Sequence, residues 1–266
     1  MTFQPVIPLG GLPGWTLLNA TLSSQQSNFN ENPRIIRDTA YFEAKISEVS
    51  TAKELVTDRR LLRVALGSFG LLDDLDSRAF VQKILEGGSE NDSALANRLT
   101  DDRYRQFAKA YGFGNLGGAR TGDPGFGRNM ADQFRDRQFE IAVGEQDQAL
   151  RLAMNAQRAL PELVQSGSET TKWLRILGDP PLRKLFETAL GLPTSFGQVD
   201  LDRQIAEFGD RAARQLNIKG PSDFADPDVM DRIVQRFLLR DQIANTSNQV
   251  ATSVALTLLQ ASTRAF

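Results

Sequence analysis

The sequence contains no histidine and no cysteine. Without histidine, the chain cannot form a Ser-His-Asp triad, an imidazole metal site or the usual acid–base group that titrates near neutral pH. Without cysteine, it has no disulfide, no thiolate nucleophile and no thiolate ligand for zinc. Chemistry based on carboxylates, lysine or arginine remains open. The two absences favour a protein that is not an enzyme, and we expect no catalytic residue, no cofactor and no metal.

Blocks of basic residues and long apolar runs are also missing. The 31 Lys and Arg residues are offset by 33 Asp and Glu residues, which gives a net charge of -2. Proteins that bind nucleic acid through its phosphates need a basic surface, so the charge argues against a nucleic-acid partner. No apolar run approaches the roughly 20 residues of a membrane-spanning helix. No Lys or Arg precedes Arg34, so we expect no cleavable signal and leave the compartment open, either cytoplasmic or exported without one.

A short unit recurs three times along the chain. Each copy starts with Asp, carries apolar residues at helical spacing and ends with an apolar residue directly before Gly; the copies are 58–71, 101–113 and 179–192. A degraded fourth copy begins at Asp226. Asp accepts hydrogen bonds from the N–H groups that start a helix, and Gly adopts the left-handed conformation that closes one. The unit predicts short helices with helix-closing glycines at Gly70, Gly112 and Gly191, and we interpret it as a packing unit rather than a repeated ligand pocket.

The rest of the chain shows helical periodicity and no alternating strand pattern. In the region after Asn32-Pro33, for example, apolar residues recur at spacings of three, four and seven, from Ile35 to Val56. Such a stripe is typical of one face of a helix. We therefore predict an all-α fold, a multi-helix bundle-like body with repeated Asp-capped, Gly-terminated short helices.

Two segments interrupt the helical pattern and suggest a domain organisation. Residues 1–31 begin with three prolines and three glycines within the first fourteen positions, which predicts a flexible N-terminal arm. Residues 112–128 contain seven glycines and are interpreted as a linker between helical half 1, 32–111, and helical half 2, 129–266. The linker starts with Gly-x-Gly-x-x-Gly, but a nucleotide site would need a strand before it, and a helix is predicted there.

The end of the chain is predicted to form one long helix, from Asp226-Pro227 past residue 260. No charged residue occurs between Asp241 and Arg264, whereas a solvated helix normally carries charges. We interpret one side as a candidate partner interface for another protein or a second copy of the chain. Its residues, spaced by three or four, are Ile243, Ser247, Val250, Val254 and Leu258. The alternative is that this stripe packs on the first long helix of the same chain.

The repeated Asp-x-x-Leu…Leu-Gly-Leu units, the capped helix over 33–56 and the Gly-rich middle resemble a bacterial family known only as domain of unknown function 1217. The resemblance extends over roughly 30–262 and concerns structural motifs. Members of that family are often encoded among flagellar genes, so the resemblance implies a link to flagellar assembly or structure. It implies no catalytic residue.

Two functions from different classes follow. The first is a non-enzymatic helical protein-protein interaction or structural protein, associated with the flagellum. The alternative is a small-ligand binder or a carboxylate-based enzyme with a cleft between the two halves. An exposed helix with an apolar stripe would favour the first, and facing carboxylates of raised pKa in a cleft would favour the second.

Overall fold

The structure of the protein is a computed structural model that describes residues 3–263, except for the side chains of Thr194 and of residues 247–263. The predicted all-α fold is confirmed, because these residues form α-helices and short 3-10 helices and no β-strand. The first seven helices are α1 (Gly11–Asn30), α2 (Pro33–Lys45), α3 (Ala52–Thr57), α4 (Arg59–Phe69), α5 (Arg78–Gly87), α6 (Leu95–Arg98) and α7 (Asp102–Tyr111). They are followed by α8 (Phe126–Gly144), α9 (Gln148–Leu163), α10 (Glu169–Leu177), α11 (Pro180–Leu190), α12 (Leu201–Leu216) and α13 (Pro227–Thr263).

The chain divides into two compact units. Unit 1 comprises Met1–Ile7, Leu18–Gln146 and Gly178–Pro180. Unit 2 comprises Pro8–Leu17, Asp147–Leu177 and Pro181–Phe266. The division differs from the predicted halves, because the Gly-rich segment and α8 both belong to unit 1.

The Gly-rich segment folds back against the end of α7, the helix that precedes it. The Arg120 N–H donates to the Tyr111 carbonyl at 2.9 Å, and the Thr121 hydroxyl, which is buried, donates to the Val49 carbonyl at 2.5 Å. The ring of Phe126, the first residue of α8, packs edge-on against Tyr111 with centroids 5.2 Å apart. Edge-to-face rings and bonded backbone groups stabilise such a loop even where glycine is abundant. Composition alone therefore does not make this segment a linker.

The first thirty residues also differ from the predicted arm, since α1 occupies most of them. Pro13 lies in the first turn of α1. The N–H groups of a first turn have no partner within the helix, so proline, which has no N–H, is tolerated there. Beyond it the helix buries Trp15, Leu18 and Phe29. The side chain of Gln25 fixes the preceding segment, because its amide bonds both the N–H and the carbonyl of Val6, at 2.7 and 3.3 Å.

In the first two copies of the repeated unit, an Asp side chain caps the start of the helix. Asp58 accepts from the N–H groups of Arg60 and Leu61 at 2.8 and 3.1 Å and so starts α4. The same arrangement, with an Asp oxygen on the following N–H groups, starts α7, α9 and α12 at Asp101, Asp147 and Asp200. Carboxylates at this position also suit the helix dipole.

The glycines of the repeated unit follow directly on α4, α7 and α11. Their φ angles are 71° at Gly70, 72° at Gly112 and 68° at Gly191, in the left-handed region that side chains rarely adopt. After α4 and α11, the N–H of the residue that follows the glycine donates to the carbonyl five positions earlier, from Leu71 to Leu66 and from Leu192 to Glu187, at 2.9 and 2.8 Å. This closing motif satisfies carbonyls that the helix leaves open.

Each unit has its own core. In unit 1, α4 packs against α2, α7 and α8, and Gly67 allows the Phe134 ring to approach the α4 backbone. In unit 2, Trp173 lies edge-on to three rings, Phe186, Phe208 and Phe224, with centroids 5.8 to 6.2 Å away. The first part of α13 packs on α9. Such aromatic clusters contribute both buried area and ring geometry to stability.

Candidate protein-binding surface

The last helix leaves the core of unit 2 after its first three turns. Asp226 starts it by accepting from the N–H of Asp228 at 2.9 Å, and Pro227 is its first residue. Its buried residues are Val229, Met230, Ile233, Val234, Phe237 and Leu238. From Leu239 to Thr246 every residue is exposed except Asp241, which is half-buried. The helix nevertheless continues to Thr263.

Residues 239–246 form a surface that we call the exposed α13 segment. Leu239 is 48% exposed and Ile243 is 66% exposed. Four residues apart, the two side chains lie on the same side of the helix. Fully burying a side chain of this size contributes about 1.5–3 kcal/mol, so the pair offers a partner a useful apolar contact.

Arg236, which lies just before this segment, and Arg211 of α12 cap the end of another helix. Arg236 donates from Nε to the Ala189 carbonyl at 2.9 Å, and Arg211 donates to the carbonyls of Leu190 and Gly191 at 3.1 Å. The carbonyls belong to the end of α11 or to Gly191, which follows it. Cations at the end of a helix complement its dipole. These arginines therefore stabilise unit 2.

Asp241 marks the change from charged to uncharged sequence. Partial burial raises its pKa above the ordinary value, and the nearby carboxylate of Asp147 raises it further, against Lys184 and a hydrogen bond from Asn245. Facing carboxylates can serve acid–base chemistry. Asp147, however, already accepts from the N–H groups of Ala149 and Leu150 at 2.9 and 3.1 Å. We interpret it as the start of α9 rather than as half of a catalytic pair.

The predicted interface residues fall on this helix. Ile243 is exposed, as described above, and the side chains of Ser247, Val250, Val254 and Leu258 lie outside the part that the structure describes. Leu239 was missed from sequence, although it precedes Ile243 by the same four-residue spacing. The absence of charge does not point to Leu239, since the uncharged stretch begins only after Asp241.

Asp74 and Asp76, which lie close together in the sequence, each have a local partner. Asp74 accepts from the Tyr104 hydroxyl at 2.5 Å, and Asp76 pairs with Arg59 at 2.5 Å. Within the described residues, no group of three His, Cys, Asp or Glu side chains is arranged to hold a metal ion. No helix in that part of the chain is both long and apolar enough to cross a membrane.

Fold and surface thus define an all-α protein of Asp-capped helices that ends in a partly exposed long helix. The family described as "Protein of unknown function (DUF1217)" matches residues 68–230, more than half of the chain, and the chain belongs to that family. The X-ray crystal structure of protein AGR_C_984 from Agrobacterium tumefaciens is similar, with a TM-score of 0.73 over 91% of this chain and 99% of that chain. At 24% sequence identity, this similarity establishes the fold alone. No curated protein matches the sequence.

Proposed function

We propose that this protein is a non-enzymatic interaction or structural protein that binds another protein, or a second copy of itself, through the later part of α13. The observation that carries the proposal is the change from buried to exposed apolar side chains along α13. Leu238 is fully buried in unit 2, Leu239 and Ile243 are exposed, and the helix runs on to Thr263.

The composition of the later part of α13 supports a bound partner. Between Asp241 and Arg264 the sequence has no charged residue and many Thr, Ser, Asn and Val residues. Such residues have lower helix propensity than Ala, Leu or Lys. Uncharged residues also form no ion pairs at helical spacing to support the helix in water. A helix of this composition gains most of its stability by packing its apolar side against another surface.

The family supports a specific setting for the partner. The resemblance described above links the family to flagellar genes, and we extend the proposal to a partner in flagellar assembly or structure. The proposal does not depend on the compartment in which the protein meets that partner. It requires no cofactor and no catalytic residue.

The experiment adds negative charge to one side of the helix and then to the other. The test variant carries Val254→Asp and Leu258→Asp, on the predicted stripe. The control variant carries Asn248→Asp and Thr252→Asp, which helical spacing places on the opposite side. We expect the test variant alone to lose self-association in sedimentation velocity, or partner capture from a bacterial lysate.

Thermal unfolding by circular dichroism separates an interface from a folding effect. We expect both variants to melt within a few degrees of the unmodified protein. Association that survives in the test variant would contradict the proposal. Global unfolding of the test variant alone would show instead that the stripe packs within its own chain.

The alternative of small-ligand binding has one specific observation in its favour. It is a cavity within unit 1, whose lining residues all belong to that unit. Its chemistry is developed below.

A further inference from the structure

A cavity of about 360 Å³ lies in unit 1 between the end of α1, the start of α2, α4, the turn that follows α4, and α8. Its apolar walls are Phe29, Ile35, Leu72, Leu75 and Phe134. Its polar lining residues are Asn32, Arg34, Asp38, Arg63 and Gln138. Ligand sites are mostly apolar pockets of roughly 300–1,000 Å³ with a few polar groups that orient the ligand. The cavity fits this description at the small end.

One polar group of the lining is unsatisfied. The Nε2 atom of Gln138 is buried and has no hydrogen-bond partner among the described residues. A buried N–H donor without an acceptor is costly, and most such groups in proteins find one. Gln138 lies in the middle of α8, so the helix holds its side chain at the cavity wall. The amide is therefore a donor for which the described part of the chain supplies no acceptor.

The charges of the lining favour an anion. Asp38 is nearly buried and lies 3.2 Å from Arg63 and 4.0 Å from Arg34. It is also 3.6 Å from Arg60, whose guanidinium lies over the Tyr41 ring. The cavity lining thus includes two arginines and one aspartate. The side chain of Arg34 is 68% exposed to solvent. An excess of positive charge beside a partly apolar space attracts anionic ligands.

We propose that this cavity binds a small molecule with an apolar body and a terminal carboxylate. The body packs against the rings of Phe29 and Phe134 and the neighbouring aliphatic side chains. The carboxylate lies in the field of Arg34 and Arg63, and it accepts from the Gln138 amide, which is buried in the free protein, once that side chain turns toward the cavity. The site is in unit 1, and it is independent of the interaction proposed for α13, which belongs to unit 2.

The test uses two probes of equal size and opposite charge, 3-phenylpropionate and 3-phenylpropylammonium. Binding is measured by isothermal titration calorimetry and by ligand-observed NMR. We expect the carboxylate to bind and the ammonium ion to bind at least about tenfold more weakly, because the lining carries excess positive charge. Equal binding of the two, or no binding of the carboxylate up to about 10 mM, the range of the weakest useful affinities, would overturn the proposal.

Gln138→Leu tests the role of the amide. It should weaken binding of 3-phenylpropionate about tenfold or more, since it removes a hydrogen bond to a charged group. It should also raise the melting temperature of the free protein, because an unsatisfied buried donor is removed. The matched control is Gln133→Leu, at an exposed position of the same helix, which should leave affinity unchanged.

A second variant tests the cavity without changing Gln138. Leu75→Trp places a larger side chain in the lining from a half-buried position and should abolish binding. Unchanged affinity in both Gln138→Leu and Leu75→Trp would show that the probe binds elsewhere and would refute the site.

Discussion

Gly112 offers a quantitative test of how the repeated unit is closed. It follows α7 with φ 72°, and its N–H donates to the Ala108 carbonyl at 3.0 Å. A Cβ atom added there would lie 2.5 Å from the carbonyl oxygen of Gly118 and 2.9 Å from Cγ of Arg120. The backbone of Arg120 is itself bonded to Tyr111, so this loop cannot move away without losing a hydrogen bond.

Two effects contribute to the cost of Gly112→Ala. The left-handed conformation costs an L-residue about 1 kcal/mol more than it costs glycine. Forcing a methyl group against a fixed backbone atom adds about 1–3 kcal/mol. We therefore expect Gly112→Ala to lower the free energy of unfolding by about 2–4 kcal/mol.

Two neighbouring glycines separate these effects. Gly118 has φ 74° and no described heavy atom within 4 Å of an added Cβ, so Gly118→Ala measures the backbone effect alone, about 1 kcal/mol. Gly117 has the same open space without the positive φ, and Gly117→Ala should change stability by less than about 0.5 kcal/mol.

The assay is urea unfolding followed by far-UV circular dichroism, with all three variants and the unmodified protein measured at one pH. The expected order of destabilisation is Gly112→Ala, then Gly118→Ala, then Gly117→Ala. If Gly112→Ala costs no more than Gly118→Ala, the close approach of the loop to the end of α7 is refuted.

Three further predictions concern unit 1. Partial burial raises the pKa of Asp58, but hydrogen bonds from the Tyr41 hydroxyl and two backbone N–H groups outweigh it, so the pKa is lower than usual. Since the folded pKa lies below the unfolded one, this stabilisation is present above about pH 4 and is lost as the pH falls through the folded pKa. Urea unfolding should therefore show a steeper loss of stability below pH 4 for the unmodified protein than for Asp58→Asn, and equal slopes would argue against the cap. Tyr111→Phe should raise the free energy of unfolding by about 1 kcal/mol, because the hydroxyl is buried with no partner among the described residues; a destabilised variant would contradict this. Gly67→Ala should lower it by about 1–3 kcal/mol, because a Cβ there would lie 2.5 Å from the Phe134 ring, and unchanged melting in a thermal scan would refute that contact.

The helix ends were predictable because their causes are local. Asp58 binds N–H groups two and three residues ahead of it, and Gly70 closes the helix that directly precedes it. Capping depends on a few consecutive residues, so the sequence carries the whole signal. The same holds for the all-α fold, which follows from apolar spacing along each helix.

Contacts between distant segments were not predictable in this way. Phe126 packs on Tyr111 across the Gly-rich segment, and α8 packs on α2 and α4, so α8 belongs to unit 1 rather than to a second half. In the first thirty residues of the chain, the helix-breaking prolines and glycines all lie within the first fourteen positions. The apolar residues beyond them are buried, and that part of the segment is helical. A count of prolines and glycines over a whole segment does not show which part of the segment they keep from forming a helix.

The cavity depends on distant contacts too. Sequence shows Gln138 only as one polar residue of an amphipathic helix. That its amide lacks an acceptor depends on α1, α2 and α4 together, none of which is near it along the chain. Sequence likewise predicted the uncharged stretch of α13 but not the position, just after Leu238, at which the helix leaves the core.

The central claim, that α13 presents a binding surface, can be tested at one described position. The chain has no cysteine, so Ile243→Cys introduces a single thiol that can carry a benzophenone photocrosslinker. Asn245→Cys, exposed on the opposite side of the helix, is the control. After irradiation in a lysate of the native organism, we predict a discrete crosslinked product, a dimer or a complex with one other protein, from the Ile243→Cys label and much less from the control. Adding Val254→Asp and Leu258→Asp should abolish it. Equal crosslinking from both labelled positions, or none from either, would contradict the claim.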